Sequence, residues 1–598
     1  MKKLTHFLKP YKKLLIIGPF FKLLEAILEL FLPFLMSMVL DYGVAKQDKK
    51  YIILLGIIML TIAIVGVIFA LICQYSASLV SQGAGTDIRN ALFEHIGTFS
   101  NIELDKFGTS SLTNRITNDV NQIQLAIAML IRLVIRAPFL CLGGLVMAFV
   151  LDPKLSIIML IVIPIFIFIL FLTMKKTIPL YRKVQGKLDH IALVLRENLS
   201  GVRVIRAFAR MYYEKERFGV TNREYSDNAV KVGKISSLLN PMTNLVMNFA
   251  VGAILWFGGI RVNTGNMTTG QVIAYTGYLA QILTALIVIS NLVVIFTKAY
   301  ASAGRIIEVF DTRTTIKSNE KIKENIVDSQ KVYNSTDIAV EFRKVSMTYK
   351  AKEKDESAAS EETADNSINQ QYNIANINFK AKRGELIGII GGTGSGKSTI
   401  VNLIPRFYDV SSGSVLIDGI DVKDYDLDIL RKKIGIVPQK TVLFSGTLAD
   451  NIRWGREDAS EEEIRIACEI AGASEFIEAM PEKYETRIAR GGVNVSGGQR
   501  QRLTIARALI RKPEILILDD SFNALDFATE ASVRTALLQN SKDMTIFLVS
   551  QRASTIRYAD QIIVLHEGRI VGIGKHEELL TSCEEYKEIC LSQEINND

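Results

Sequence analysis

Gly391-Gly392-Thr393-Gly394-Ser395-Gly396-Lys397-Ser398 is the stretch on which the reading of this chain turns. It fits the pattern G-x-x-x-x-G-K-[ST]. It also lies where that pattern has meaning: after the apolar run Leu386–Ile390 and before a helical run that begins at Thr399. Glycines let consecutive backbone N–H groups turn inward on phosphate oxygens, and the helix start adds a favourable dipole. Lys397 would place a compact positive charge on the β- and γ-phosphates, and the Ser398 hydroxyl can ligate Mg²⁺. All nine residues from Gly391 to Thr399 are therefore candidates for holding a nucleotide.

Around this loop, short β-rich runs alternate with helical patterns. They are Ile338–Phe342, Leu386–Ile390, Ile515–Leu518, Thr545–Val549 and Gln561–Leu565. Such alternation predicts an α/β domain with a largely parallel sheet. The run Ile515–Leu518 ends in Asp519, an apolar strand closing on a carboxylate, the expected place for a residue that holds Mg²⁺. The segment 351–370 (AKEKDESAASEETADNSINQ) is acidic and almost without large apolar groups. It is expected to be a disordered surface insertion.

Before residue 300 the character is different. The whole chain has 598 residues, 49% hydrophobic and 22% charged, with mean hydropathy +0.23. That value excludes global disorder and is unusual for a water-soluble chain. Seventy Lys and Arg against 62 Asp and Glu leave only +8, which requires no nucleic acid partner. Five cysteines without a CxxC pair exclude a disulfide scaffold and an obvious zinc site. Six apolar runs approach or exceed the ~20 residues that cross a bilayer core. They are Leu14–Leu40, Tyr51–Gln74, Leu125–Leu151, Leu155–Met174, Asn244–Ile260 and Val272–Thr297.

Lys2, Lys3, Lys9, Lys12 and Lys13 precede the first run, so the positive-inside rule keeps the N-terminus cytoplasmic and six spans return the chain there. The outer connections Asp41–Lys50, Asp152–Lys154 and Arg261–Gln271 are short. The inner stretches Tyr75–Gln124 and Lys175–Thr243 are long, charged and helical in spacing, as expected of membrane helices running on into the cytoplasm. The expected fold class is a multidomain membrane protein: a six-helix all-α transmembrane domain over 1–310, a linker over 311–337 and an α/β P-loop nucleotide-binding domain over 338–598.

Together these features resemble a half-transporter of the ABC exporter family. The most specific residues are Val495-Ser496-Gly497-Gly498-Gln499, followed by Arg500-Gln501-Arg502, which resemble the LSGGQ signature with a Leu-to-Val change. Gln439 in Val437-Pro438-Gln439 is similar to the Q-loop glutamine. Tyr349 resembles the aromatic that stacks on adenine, and Asn523-Ala524-Leu525-Asp526 resembles the D-loop. The segment Leu199–Phe208 resembles the approach to the second coupling helix, and the first is expected near Gly108–Asn118. The resemblance implies ATP and Mg²⁺, the metal held by Ser398, Gln439 and Asp519. It also implies head-to-tail pairing, in which Ser496, Gly497, Gly498 and Gln499 complete the partner's site. A multi-pass protein of a bacterial plasma membrane follows, with membrane lipids and a small amphipathic or peptide cargo as partners and no nucleic acid.

Two positions depart from the family pattern at the reacting end of the site. After the Mg²⁺ aspartate the family usually has glutamate, which polarises the attacking water; here it is Asp520. Its carboxylate sits about 1.5 Å back unless the backbone moves, and a general base is worth roughly 10²–10⁴ in rate with a steep dependence on reach. After Thr545–Val549 the family places histidine; Ser550-Gln551-Arg552 supplies an uncharged amide that cannot shuttle a proton. The pair implies ATP binding with little hydrolysis, the pattern of the degenerate-site subunit in a heterodimeric multidrug exporter. A homodimer with two slow sites, or an ATP-gated channel or sensor, remains open. Arg490-Gly491-Gly492 further departs from the usual Glu-Arg-Gly before the signature.

Charges inside the spans are the only sequence handle on cargo. Lys22, Glu25 and Glu29 share one helix face, as do Arg132 and Arg136. Ionisable groups at this depth face a cavity or one another. Glu25, Glu29, Arg132 and Arg136 are thus candidates either for a polar cargo path or for ion pairs between helices.

Overall fold

The computed structural model describes residues 3–318, 337–349, 373–540 and 543–594. The expected insertion 351–370 and most of the expected linker 311–337 lie outside the described residues. The chain divides into two units. One comprises Met1–Gly97 and Gly108–Thr312, the other Thr98–Phe107 and Arg313–Asp598.

The first unit is all helical. Among the described residues six helices are long and apolar enough to cross a membrane: Leu4–Val44, Lys49–Gly97, Thr109–Leu151, Pro153–Ser200, Met211–Asn263 and Thr269–Asp311. Each contains one of the six apolar runs and extends beyond it. Side chains such as Leu60, Val67 and Leu71 are exposed, as lipid-facing residues should be. Elsewhere close contact is made by small residues: a Cβ on Gly143 would lie 2.4 Å from Leu30 Cδ1, and one on Gly144 3.0 Å from Ile282 Cγ1. Several polar groups inside the bundle find partners in backbone or neighbouring side chains. Tyr278 OH donates to Leu30 O at 2.9 Å, and Ser156 Oγ lies 2.8 Å from Tyr275 OH.

Short outer connections tie helix ends together. Asp152 caps the helix Pro153–Ser200 by accepting from Lys154 N and Leu155 N, and takes Arg261 Nε at 2.6 Å. Asp41 accepts from Gly270 N at 2.8 Å and from the Thr268 hydroxyl, which itself caps the helix Thr269–Asp311.

The third helix is broken. Its α-helical parts are Thr109–Asn114, Val120–Arg132 and Arg136–Leu151, with a π-helical turn at Arg115–Asp119 and with Leu133–Ile135 outside regular helix. Pro138 accounts for the latter, since it lacks an N–H and its ring crowds the carbonyl four residues back, at Val134.

Among the described residues the second unit carries twelve strands. In chain order they are β1 (Ile338–Met347), β2 (Ile374–Lys382), β3 (Leu386–Gly391), β4 (Ser412–Ile417), β5 (Ile420–Asp421), β6 (Ile434–Val437), β7 (Gly446–Thr447), β8 (Arg487–Ile488), β9 (Ile515–Asp519), β10 (Thr545–Val549), β11 (Gln561–His566) and β12 (Arg569–Gly574). A six-stranded sheet runs β12-β11-β3-β10-β9-β6, parallel except for the β11–β12 pair, and a four-stranded antiparallel sheet runs β2-β1-β4-β5. β3 and β9 are buried along their whole length, which is why they read as unbroken apolar runs.

Register then fixes the site. β10 aligns Val549 with Asp519 of β9 and with Ile389 of β3. The segments that follow β3, β9 and β10 therefore emerge side by side at the carboxyl ends of the strands, where α/β sheets bind ligands.

The short helix Asn101–Phe107 belongs to this second unit, although it lies in the chain between the second and third long helices. The segment that packs here is thus Thr98–Phe107. It directly precedes the Gly108–Asn118 stretch expected for the first coupling helix, and that stretch groups with the first unit. The physical reason is Glu103. This residue is 4% exposed and accepts from Ser100 N at 2.8 Å, Thr315 N at 3.2 Å and Thr315 Oγ1 at 2.9 Å.

Candidate nucleotide site

The loop after β3 is shaped by glycines. Gly394 (φ +82°) and Gly396 (φ +96°) are left-handed, and a Cβ on Gly396 would meet Ile374 Cγ2 at 2.6 Å. Gly391 has no room for a side chain, because a Cβ would lie 2.2 Å from Leu565 O. Gly392, Thr393 and Gly394 are exposed, so the loop's backbone faces solvent. Helix Lys397–Leu403 follows directly.

Lys397 is buried and curls over its own loop. Nζ donates to Gly391 O at 2.9 Å and Gly392 O at 2.7 Å. Burial holds its ammonium below the usual lysine range, against the pull of Asp520 and Asp519. Ser398 Oγ donates to Asp519 Oδ1 at 3.0 Å. Burial pushes the Asp519 carboxyl up and the Asp520 charge adds to this, while Ser398 and Lys397 oppose it. A hydroxyl beside a carboxylate, at the end of a loop carrying the buried, unpartnered Ser395 Oγ, is a donor set that fits Mg²⁺ with a phosphate.

Asp520 is 7% exposed and left-handed (φ +48°). Its Oδ2 accepts from Gln439 Nε2 at 3.3 Å and Gln551 Nε2 at 3.5 Å, and its Oδ1 has no partner. Three residues spread over more than a hundred positions of the sequence thus meet at one carboxylate. Both long bonds come from neutral amides.

Tyr349 is 39% exposed. Its OH donates to Thr399 Oγ1 at 3.0 Å, which ties the aromatic to the helix behind the loop. Its ring stands edge-on to Tyr408, with centroids 4.9 Å apart, and Tyr408 OH donates to Asp105 Oδ2 at 3.2 Å. Tyr408 and Asp105 were not candidates from the sequence. No motif marks them, and only the packing of Asn101–Phe107 on this unit brings them together.

The signature stretch lies at a different place in the unit. Ser496 caps helix Gly497–Leu509: its Oγ accepts from Gln499 N at 3.2 Å, and Gln499 Oε1 accepts from Ser496 N at 2.9 Å. This reciprocal capping explains a serine and a glutamine three residues apart. Ser496 and Gly497 are exposed, Gly497 has nothing within 4 Å of an added Cβ, and a Cβ on Gly498 would lie 3.1 Å from Ala524 O. The result is an open helix N-terminus with free N–H groups, able to receive an anion from outside this unit. Nearby, Gly491 (φ +72°) and Gly492 (φ +67°) are left-handed, and Arg500 donates to Gly492 O at 2.8 Å. Two glycines are thus needed where the expected pattern has one.

In the first unit the membrane charges fall into pairs. Lys22 bonds Glu25 at 2.7 Å, and Arg136 bonds Glu29 at 2.8 Å between the third and first helices. Glu25, Glu29 and Arg136 are therefore ion-paired, while Arg132 has no ion-pair or hydrogen-bond partner among the described residues.

Comparison with known proteins agrees with both halves of the chain. A family model for the ABC transporter transmembrane region matches residues 15–286, and one for the ABC transporter matches residues 374–523. An uncharacterized ABC transporter ATP-binding protein of Mycobacterium tuberculosis is 39% identical, covering 99% of this chain and 98% of the relative. An ATP-dependent lipid A-core flippase of Desulfotalea psychrophila is 32% identical, covering 98% of each. A Bacillus subtilis chain whose name assigns it provisionally to multidrug export, as an ATP-binding/permease protein, is 32% identical over the whole of both. Among solved structures, a bacterial Atm1-family ABC exporter with ATP bound superposes with a TM-score of 0.77 at 23% identity, covering 97% of this chain and 98% of that one.

Proposed function

The chain belongs to the ABC transporter family, as an exporter-type half-transporter whose ATPase is coupled to transport across a bacterial plasma membrane, and on that premise we propose that it works in a heterodimer as the subunit with the degenerate ATP site. The observation that carries this reading is the Asp520 carboxylate, occupied on one oxygen by the amides of Gln439 and Gln551. A competent hydrolytic site needs a carboxylate that reaches the attacking water and a neighbour able to take part in charge or proton movement. Here the carboxylate is one methylene shorter than the family's glutamate, and both neighbours are uncharged.

In this reading the backbone of Gly391–Gly396 cradles the phosphates, Lys397 leaves its own carbonyls to meet the β- and γ-oxygens, and Tyr349 stacks on adenine. Ser398, Gln439 and Asp519 would hold Mg²⁺, which supplies charge neutralisation at the phosphates when bound. Displacing Lys397 Nζ from Gly391 O and Gly392 O exchanges two neutral acceptors for anionic ones, so binding is favourable although the lysine is buried. Gln551 can donate a hydrogen bond to the terminal phosphate, while Asp520, an acceptor one methylene short of the attacking water, leaves hydrolysis undriven. Ser496, Gly497, Gly498 and Gln499 serve the partner's nucleotide through the open helix start. ATP at both sites closes the pair by its differential affinity for the closed state, and hydrolysis at the partner's site resets it. The cargo is a small amphipathic molecule: a drug, a lipid or a peptide. The names of the relatives support the first two.

The test is purification from the native membrane with identification of the co-eluting chain. The heterodimer reading expects a second, different half-transporter with glutamate and histidine at the positions matching Asp520 and Gln551. A homodimer that hydrolyses ATP rapidly on its own refutes it.

A further inference from the structure

The backbone of Gln551, the amide that faces Asp520, is held by a side chain from another helix. Gln551 sits in a short turn between β10 and the helix Ala553–Ile556. Ser550 is buried, and its Oγ accepts from Arg552 N at 3.0 Å, which closes the turn. Arg552, at the start of the helix, offers no side-chain cap, so the acceptor for the first N–H must come from elsewhere. It comes from forty residues further on: Ala553 N donates to Gln593 Oε1 at 2.7 Å. The same amide turns its other end to the opposite side of the turn, where Gln593 Nε2 donates to Gln551 O at 2.7 Å. One side chain thus spans Gln551 and Ala553, with Arg552 between them.

The helix that carries Gln593, Glu584–Glu594, is seated in the core. Tyr586 is fully buried and Cys590 is buried beside it, in the same apolar cluster as Ala553 and Ile556. Tyr586 OH lies 2.8 Å from His576 Nδ1. Positions 586, 590 and 593 follow at i, i+4 and i+7, one face of a helix, so burial of the first two carries the third to the turn. On the other side of the turn, Arg552 Nη1 lies 3.7 Å from Oε2 of the buried Glu530, and its guanidinium stands over the ring of Phe527, 5.2 Å from the centroid. The turn is gripped from both sides. The side chain of Gln551, by contrast, is exposed, with a long bond to Asp520 at 3.5 Å.

We infer that Gln593 is a positioning residue for the ATP site: it fixes the backbone at Gln551 so that the side-chain amide stays aimed at the terminal phosphate. A glutamine side chain loses rotamer freedom when it holds a ligand. A backbone already fixed at Gln551 O and Ala553 N lowers the remaining ordering cost, as any preorganised contact does. The helix Glu584–Glu594 then sets how long ATP stays where hydrolysis is slow. The inference rests on the degenerate-site reading and adds to it what retains the nucleotide there.

The experiment uses the complete two-chain complex in lipid, loaded with photoreactive azido-ATP radiolabelled on its γ-phosphate. The complex is chased with unlabelled ATP, irradiated at intervals and separated into its chains, so that surviving triphosphate is read chain by chain. In the parent, label on this chain outlasts label on the partner. Gln593→Leu keeps the bulk of the side chain and loses both bonds. It and Gln593→Ala shed the label from this chain about tenfold faster, the value of one hydrogen bond to a charged acceptor, while the partner loses label at the parent's rate. Gln593→Glu keeps the acceptor for Ala553 N but not the donor to Gln551 O, and falls between. Gln551→Ala sheds label as fast as Gln593→Leu, and the double variant no faster, because both act through one contact. Parental retention in Gln593→Leu, equal acceleration on both chains, or additive effects in the double variant overturns the inference while the degenerate-site reading stands. If the parent loses label from this chain as fast as from the partner, the degenerate-site reading fails and the inference with it.

Discussion

Replacing Asp520 by Asn removes a charge and almost nothing else. Asn tolerates the left-handed backbone found here (φ +48°) as well as Asp does, and its carbonyl can keep accepting from Gln439 and Gln551. Those two bonds, at 3.3 Å and 3.5 Å, are long, so losing the charge from their acceptor costs at most about 1 kcal/mol in total. On the rate scale that is about fivefold. A functioning general base at this position would be worth roughly 10²–10⁴, or about 3–5 kcal/mol. The two cases are separated by at least a factor of about twenty. The assay is steady-state phosphate release by the two-chain complex in lipid at saturating ATP. Turnover within about fivefold of the parent is expected. A loss of a hundredfold or more would mean that Asp520 activates the water, and the degenerate-site reasoning would be refuted.

Three further outcomes are expected. Ser496→Ala removes the cap on Gln499 N and lowers the stability of the complex by about 1 kcal/mol, read as a lower denaturant midpoint; Ser496→Asp restores the cap but not phosphate release, because it sets a negative charge against the partner's nucleotide. Gly396→Ala places a Cβ against Ile374 in a left-handed position, costs about 1–3 kcal/mol and abolishes binding of a fluorescent ATP analogue. At Glu103 burial pushes the carboxyl up, but the hydrogen bonds from Ser100 and Thr315 outweigh it and hold the group below its usual range. Its stabilising effect is therefore complete above the ordinary glutamate value of about 4.3 and is lost as pH falls through the lower folded value, so stability against pH should fall in acid in the parent and be flatter in that window in Glu103→Gln.

Much of the molecule was legible in its sequence because the deciding signals are local. A run such as Leu155–Met174 must be a membrane helix whatever surrounds it, since only that conformation satisfies its backbone in lipid. The loop Gly391–Ser398 is recognisable because its glycines answer a local need for left-handed backbone and close approach. Other features were invisible for equally physical reasons. The break at Pro138 could be suspected from one residue, but the cavity beside it depends on Gln281 and Glu29 from two other helices. The packing of Asn101–Phe107 depends on Thr315, more than two hundred residues away.

The sequence alone therefore determined six spans, an α/β nucleotide unit, the phosphate loop, the signature and the two departures Asp520 and Gln551, all of them questions of residue type within a short window. Only the tertiary structure decided that both amides turn onto the Asp520 carboxylate, that Glu29 and Arg136 neutralise each other, and that Arg132 has no ion-pair partner among the described residues. Whether a charge is paired is a property of distances between segments, set by helix packing and strand register, and no window of the chain contains that information.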